Sequence, residues 1–172
     1  DMTDNTTESS EPTEISASEV QSKYNTYFNS SNQKNHVTVH DPSVVIGYTD
    51  TKYTGNKNVK IYGVQNTAKT RKKVYFIFGS HRAFAWSTDM QNWNYFQNNI
   101  NNDTTCQALF KDAFNWAKQG DASYQWDGNL WAPDVIWNPD YVNSDGSKGA
   151  WCMYMSINGN SWNSSIVLLT SD

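Results

Sequence analysis

Lys73-Val74-Tyr75-Phe76-Ile77-Phe78-Gly79-Ser80-His81-Arg82-Ala83-Phe84-Ala85-Trp86-Ser87-Thr88-Asp89 is the stretch on which the fold turns. Aromatic and β-branched residues crowd Val74 to Phe78, and a second short run of the same kind covers Phe84 to Ser87. Residues of this type fit a pleated, half-buried surface, so the stretch reads as strand, hairpin and strand, closed by Ser-Thr-Asp. The same arrangement returns near the other end. Tyr154-Met155-Ser156 is followed by Ile166-Val167-Leu168-Leu169-Thr170-Ser171-Asp172, which ends in Thr-Ser-Asp.

Outward from these two units the pattern stays mostly strand. Val44-Val45-Ile46 is a short apolar run, Val59 to Val64 alternates, and Asn92 to Phe96 closes the first group. The second group opens at Asp134-Val135-Ile136-Trp137 and continues through Ala150–Ile157 and Ser165–Thr170. Between the groups, Leu109, Phe110, Ala113, Phe114 and Ala117 recur at helical spacing. Asp103 or Thr104 can cap the start and Gly120 the end, so one helix is predicted over Asp103 to Gln119. Two successive groups of about four short strands fit either a sandwich or propeller blades, and the repeat favours blades.

Residues 1–35 are a different material. Asp1 to Glu19 is dominated by Thr, Ser, Glu and Asp, too polar to bury the surface that would offset ordering entropy. The segment is predicted to be a disordered acidic Ser/Thr-rich tether, with residues 36–172 forming the folded part. A tether of this kind commonly spaces an exported enzyme from a membrane or wall, so the expected location is secreted or tethered to the cell surface. All four glutamates (Glu8, Glu11, Glu14, Glu19) lie in it, and none follows Val20.

The 172 residues suit one ordinary domain with a tail. Thirteen Lys and Arg against 17 Asp and Glu give no basic field for a phosphate backbone, which argues against nucleic acid. No window approaches the ~18–20 apolar residues of a membrane span. Eight Trp, ten Tyr and 21 Asn suit a sugar-binding surface, on which rings cover C–H faces and amides pair with hydroxyls. A β-rich core uses the same rings, so composition alone leaves both readings open. Cys106 and Cys152 are too few for a disulfide framework, and a single bridge between them stays open. Neither has metal-ligand spacing or an adjacent His, and neither reads as a catalytic thiol.

Two carboxylates stand in unusual settings: Asp41 in His40-Asp41-Pro42-Ser43 and Asp134 in Leu130-Trp131-Ala132-Pro133-Asp134-Val135. In each, proline stiffens the chain beside the acid at the start of an apolar strand. An Asp beside a Pro is ordinarily a turn or a cap; a matched pair points further. These motifs, together with Phe78-Gly79-Ser80-His81-Arg82, Trp86 to Met90 and Asn92-Trp93, resemble glycoside hydrolase family 43. Met153 to Gly159 followed by Asn163-Ser164-Ser165-Ile166 is similar to the extracellular endo-1,5-alpha-L-arabinanases of that family. The resemblance covers roughly residues 36–172.

It implies an all-β, five-bladed β-propeller with an axial active site, of which this chain supplies about the first two blades plus one inserted helix. The implied activity is inverting hydrolysis of internal alpha-1,5-L-arabinofuranosidic bonds of arabinan, a plant cell-wall polysaccharide. Asp41 would be the general base, and Asp134 would orient the acid and raise its pKa by like-charge repulsion. An inverting pair stands roughly 6.5–9.5 Å apart to admit water. The general acid of the family is a Glu beyond the second motif, which this chain does not contain. Asp140, Asp145 and Asp172 lie in a polar loop or at the last position and do not suit the role. A second polypeptide carrying the acid and the remaining blades is therefore expected; two blades alone would leave open sheet edges.

His40, His81, Arg82, Trp86, Trp131, Asn158 and Ser164 are the candidate substrate-binding residues: His40 beside the base, His81 and Arg82 in an axis-facing hairpin, Trp86 and Trp131 as stacking rings, Asn158 and Ser164 as hydrogen-bonding groups. The resemblance also implies a calcium ion on the propeller axis. No segment has the acidic density of a calcium loop, so no metal ligand is assigned here and the ion would be held mainly outside this chain. The rival readings are an exo-acting alpha-L-arabinofuranosidase or beta-xylosidase, a non-catalytic carbohydrate-binding propeller, and an isolated β-sandwich binding module.

Overall fold

The computed structural model describes residues 16–28, 36–63, 70–96, 100, 102–160 and 163–171. The chain forms two compact units, Asp1–Lys34 and Asn35–Asp172. The first holds helix α1 (Ala17–Phe28). Ser16 and Glu19 close a capping box: the Ser16 hydroxyl accepts from the Glu19 amide at 3.3 Å, and the Glu19 carboxylate accepts from the Ser16 amide at 2.9 Å. Gln21 donates to Asn25 one turn on, at 2.9 Å. These local bonds need no core, and residues 16–25 are all exposed. The tether expected over residues 1–35 is thus corrected for Ala17–Phe28, which is helical; residues 1–15 and 29–35 lie outside the described residues.

The second unit is mostly β, in two antiparallel sheets. The first is a four-stranded meander in chain order, β1 (Ser43–Thr49), β2 (Lys72–Phe78), β3 (Phe84–Ser87) and β4 (Asn94–Tyr95). The second is a three-stranded meander, β5 (Trp126–Val142), β6 (Lys148–Gly159) and β7 (Ser164–Ser171). Between β4 and β5 lie α2 (Asp103–Leu109) and α3 (Lys111–Gly120).

Four details depart from the sequence reading. The alternating run from Val59 forms no strand over its described part; it touches the sheet in one bridge, Tyr48 to Tyr62, and Val64 lies outside the described residues. The single predicted helix is two, broken at Phe110, whose ψ of 12° takes it out of the helix. The break keeps Cys106, Phe110, Phe114 and Ala117 buried on one side and leaves Leu109 exposed. The cap is Asn102, whose side chain accepts from the Thr105 amide at 3.1 Å, rather than Asp103 or Thr104. β5 begins eight residues before Asp134 and runs through Trp131-Ala132-Pro133 with three register irregularities against β6. Pro133 and Pro139 are tolerated because β5 is an edge strand interrupted by bulges.

The core lies against one face of the second sheet. Leu130, Met155 and Ile157 pack with Phe84 and with Ile100, Cys106, Phe110 and Phe114, and Phe78 and Phe96 join from the first sheet. Each fully buried side chain of this size contributes about 1.5–3 kcal/mol. A smaller cluster of Tyr53, Val74 and Phe76 holds the loop after β1 against the first sheet. Both cysteines are buried and free. Burial pushes the Cys106 thiol up, against the opposing effect of the Arg82 guanidinium, so it stays protonated.

Candidate active site

Five non-glycine residues among those described have positive φ, and four of them gather at one place: Asp41 (47°), His81 (58°), Arg82 (66°) and Ala132 (46°). Left-handed backbone costs an L-residue about 1–2 kcal/mol, so such residues persist only where their surroundings hold them. Asp41 and Ala132 each precede the proline of a motif. His81 and Arg82 form the short turn Ser80–Arg82 between β2 and β3. Gly79 lets that turn close onto the chain before Asp41: a Cβ there would stand 2.7 Å from the His40 carbonyl oxygen, which accepts from the Ser80 amide at 2.9 Å.

Two serine hydroxyls hold the site together, in matching fashion. Ser80, at the start of the turn, donates to the Asp41 carboxylate at 2.7 Å and accepts from the Ala132 amide at 3.0 Å. Ser43, two residues after Asp41, donates to the Asp134 carboxylate at 3.2 Å and accepts from the Val135 amide at 3.1 Å. Both amides belong to β5, an edge strand of the second sheet. Each serine therefore satisfies an N–H of that edge strand and steers one carboxylate with its own proton. The ring runs from Asp41 through Ser80, Ala132, Asp134 and Ser43 back to Asp41. Both carboxylate residues are exposed, while Ser80 is only 2% exposed.

Of the other candidates, His81 is exposed and its ring lies 6.0 Å from that of Trp131, tilted by 34°, beside the ring of bonds. His40 is exposed and takes part through its carbonyl. Arg82 turns away from Asp41. Its guanidinium donates to Asp103 at 2.7 Å and to the Ile100 carbonyl at 3.1 Å, which fastens the start of α2. Trp86 packs edge-on against Tyr53 at 5.0 Å and joins the smaller cluster. Asn158 is buried and accepts from Ser164 at 2.6 Å across the β6–β7 pair. Ser43 and Ser80 were not singled out by sequence, although both sit inside the motifs that were; a serine hydroxyl carries no local sign of a partner so far along the chain.

Among the described residues no three His, Cys, Asp or Glu side chains gather to hold a metal ion. The calcium ion that the resemblance implies has no such ligand set among the described residues. No described helix is long and apolar enough to cross a membrane.

No protein-family profile matches the sequence, and no curated protein does. The chain resembles part of several solved structures. It is 23% identical to an endo-1,5-alpha-L-arabinanase from Thermotoga petrophila, over 78% of this chain and 22% of that one, with a TM-score of 0.44. A structure of the same enzyme in complex with TRIS gives 23% identity and a TM-score of 0.45, over 78% and 23% of the two chains. A glycoside hydrolase family 43 protein, YxiA from Bacillus licheniformis, is 29% identical over 80% of this chain and 23% of its own, with a TM-score of 0.42. The likeness is partial: this chain spans under a quarter of the length of each.

Proposed function

We propose that this chain carries the base side of an inverting glycoside hydrolase that cuts internal alpha-1,5-L-arabinofuranosidic bonds of arabinan. The observation behind the reading is the ring of bonds through Ser80 and Ser43, which holds two exposed carboxylates, one just before β1 and one on β5, at one site. In this reading Asp41 takes a proton from the attacking water, and Ser80 fixes the rotamer that aims it. Asp134 places a negative charge near the acid and keeps that acid protonated. His81 and Trp131 form one wall of the sugar site. The choice of arabinan follows from the resemblance of the Met153–Ile166 stretch.

The acid is a Glu from polypeptide outside these 172 residues, which also supplies the further sheets of a propeller. Support comes from the face of the second sheet that the core leaves bare. Ile136, Tyr154, Ile166 and Leu168 share that face and are 47, 44, 71 and 43% exposed. A contiguous apolar stripe of this kind marks an interaction surface.

The test is Asp41→Asn in the active material. The change removes basicity at nearly constant shape, so turnover of linear arabinan falls by about 10²–10⁴-fold while binding stays near wild type. Retained turnover refutes the base assignment. Intact-mass measurement of the active sample tests the composition: an active species of 19.6 kDa alone removes the need for a separate acid-bearing polypeptide. A bound but uncut arabinan, with no Glu facing Asp41, would identify a non-catalytic sugar-binding propeller instead.

A further inference from the structure

At the end of α3 the surface opens into a cavity of about 540 Å³, lined by Trp116, Asp121, Tyr124, Asn163 and Ser165 among others. Three features of its wall suit a ligand better than a packing gap. Trp116 is 64% exposed on a helix whose Phe114 and Ala117 are buried, so its indole is a flat apolar platform beside the opening. Tyr124 is 2% exposed and its ring packs on that of Phe114, centroids 6.3 Å apart, which gives the cavity a fixed floor. Asp121 is held in a fixed pose: its carboxylate accepts from the Ser123 hydroxyl at 2.6 Å, from the Ser123 amide at 2.9 Å, and from the Asn163 side chain.

We infer that this cavity binds a sugar unit of the polysaccharide, stacked on Trp116, with its hydroxyls donating to Asp121. A platform ring beside a few fixed polar groups is what a neutral polyhydroxylated ring needs: the apolar face covers C–H groups and the polar groups set its orientation. Ionisation of the carboxylate, favoured by the Ser123 hydroxyl and amide, keeps Asp121 an acceptor for sugar O–H donors. The position fits a distal subsite of the path that starts at Trp131. Ser156 lies opposite Trp131 across the β5–β6 pair, and Asn158, two residues on, meets Ser164 at the rim of the cavity. Two residues of strand span about 7 Å. The inference rests on the proposed hydrolase only for the kind of sugar.

The test uses the Asp41→Asn protein, so that ligand is not consumed, titrated with linear arabino-oligosaccharide and, separately, xylo-oligosaccharide by calorimetry and tryptophan fluorescence. Adding Trp116→Ala weakens binding of the preferred sugar about tenfold, the loss of one stacking contact. Because Trp116 is exposed and alanine favours helix, the fold survives this change. Adding Asp121→Asn weakens binding as well, since an amide replaces the anionic acceptor of the sugar hydroxyls. Equal affinity with and without Trp116, or no binding of either sugar, overturns the inference. If the cavity binds sugar through Trp116 while unmodified Asp41 cuts no arabinan, the subsite stands and the proposed hydrolase falls.

Discussion

Ser80→Ala deletes a single oxygen that serves both sheets. With it go the 2.7 Å bond donated to Asp41 and the 3.0 Å bond accepted from the Ala132 amide. A hydrogen bond to a charged group contributes about 1.5–3 kcal/mol and a neutral one about 0.5–1.5 kcal/mol. Asp41 is exposed, so water replaces part of the first, and the net loss comes to about 2 kcal/mol. In urea, where slopes for such domains run about 1–3 kcal/mol per molar, the unfolding midpoint falls by about 1 M. The effect on rate is separate. Asp41 loses the donor that sets its carboxylate, and if it is the base proposed above, a displacement on the order of 1 Å costs about 100-fold. The assay is therefore a denaturation curve beside turnover of linear arabinan, with rate expressed per folded molecule. A wild-type midpoint refutes the bridge between the sheets. A lowered midpoint with an unchanged rate refutes the positioning of Asp41.

In the proposed hydrolase, Asp134→Asn removes the charge assigned to keeping the acid protonated, so the alkaline limb of the pH–rate profile moves to lower pH as the rate falls; an unmoved limb refutes that assignment. Asp89 tests a different part of the fold. Burial opposes its ionisation, but the Asn92 amide and side chain, the Gln91 amide and the Ser87 hydroxyl outweigh it and hold the carboxyl at about 2, below the ordinary 3.8. A folded value below the unfolded one stabilises the protein above 3.8, and that stabilisation is lost as pH falls through 2. Asp89→Asn should accordingly flatten the acid dependence of stability over that window, as read from melting curves at successive pH values. Arg82→Met leaves the Ile100 carbonyl and Asp103 without the guanidinium and destabilises by about 1–2 kcal/mol, measured by denaturation. Because Asp103 is 72% exposed, Asp103→Asn should cost well under 1 kcal/mol by the same measurement.

The repeated strand–hairpin–strand units, the helical insertion and the two proline-flanked acids were legible because each is a local pattern. Side-chain type and spacing over a few residues decide whether a segment is pleated or wound, and proline acts on its immediate neighbour. The same local logic misjudged other places for definable reasons. Ser16 and Glu19 form a helix start that a compositional reading of an acidic segment overlooks. The stripe near Leu109 gave the right helical period but the wrong bounds, since the break at Phe110 is set by what the two short helices pack against.

Which of the marked residues share a site was decided only by tertiary structure. Ser80 reaches Asp41 across 39 positions and Ser43 reaches Asp134 across 91, and nothing near either serine announces that partner. Arg82 and Trp86 lie in the same hairpin region as Ser80, yet one fastens a helix and the other fills a cluster. Alternation tells which side of a strand a residue faces; only the packing of two sheets edge to edge tells what stands opposite. The two amides of the edge strand β5 supply the physical reason for the site: the two hydroxyls that satisfy them also hold the two carboxylates.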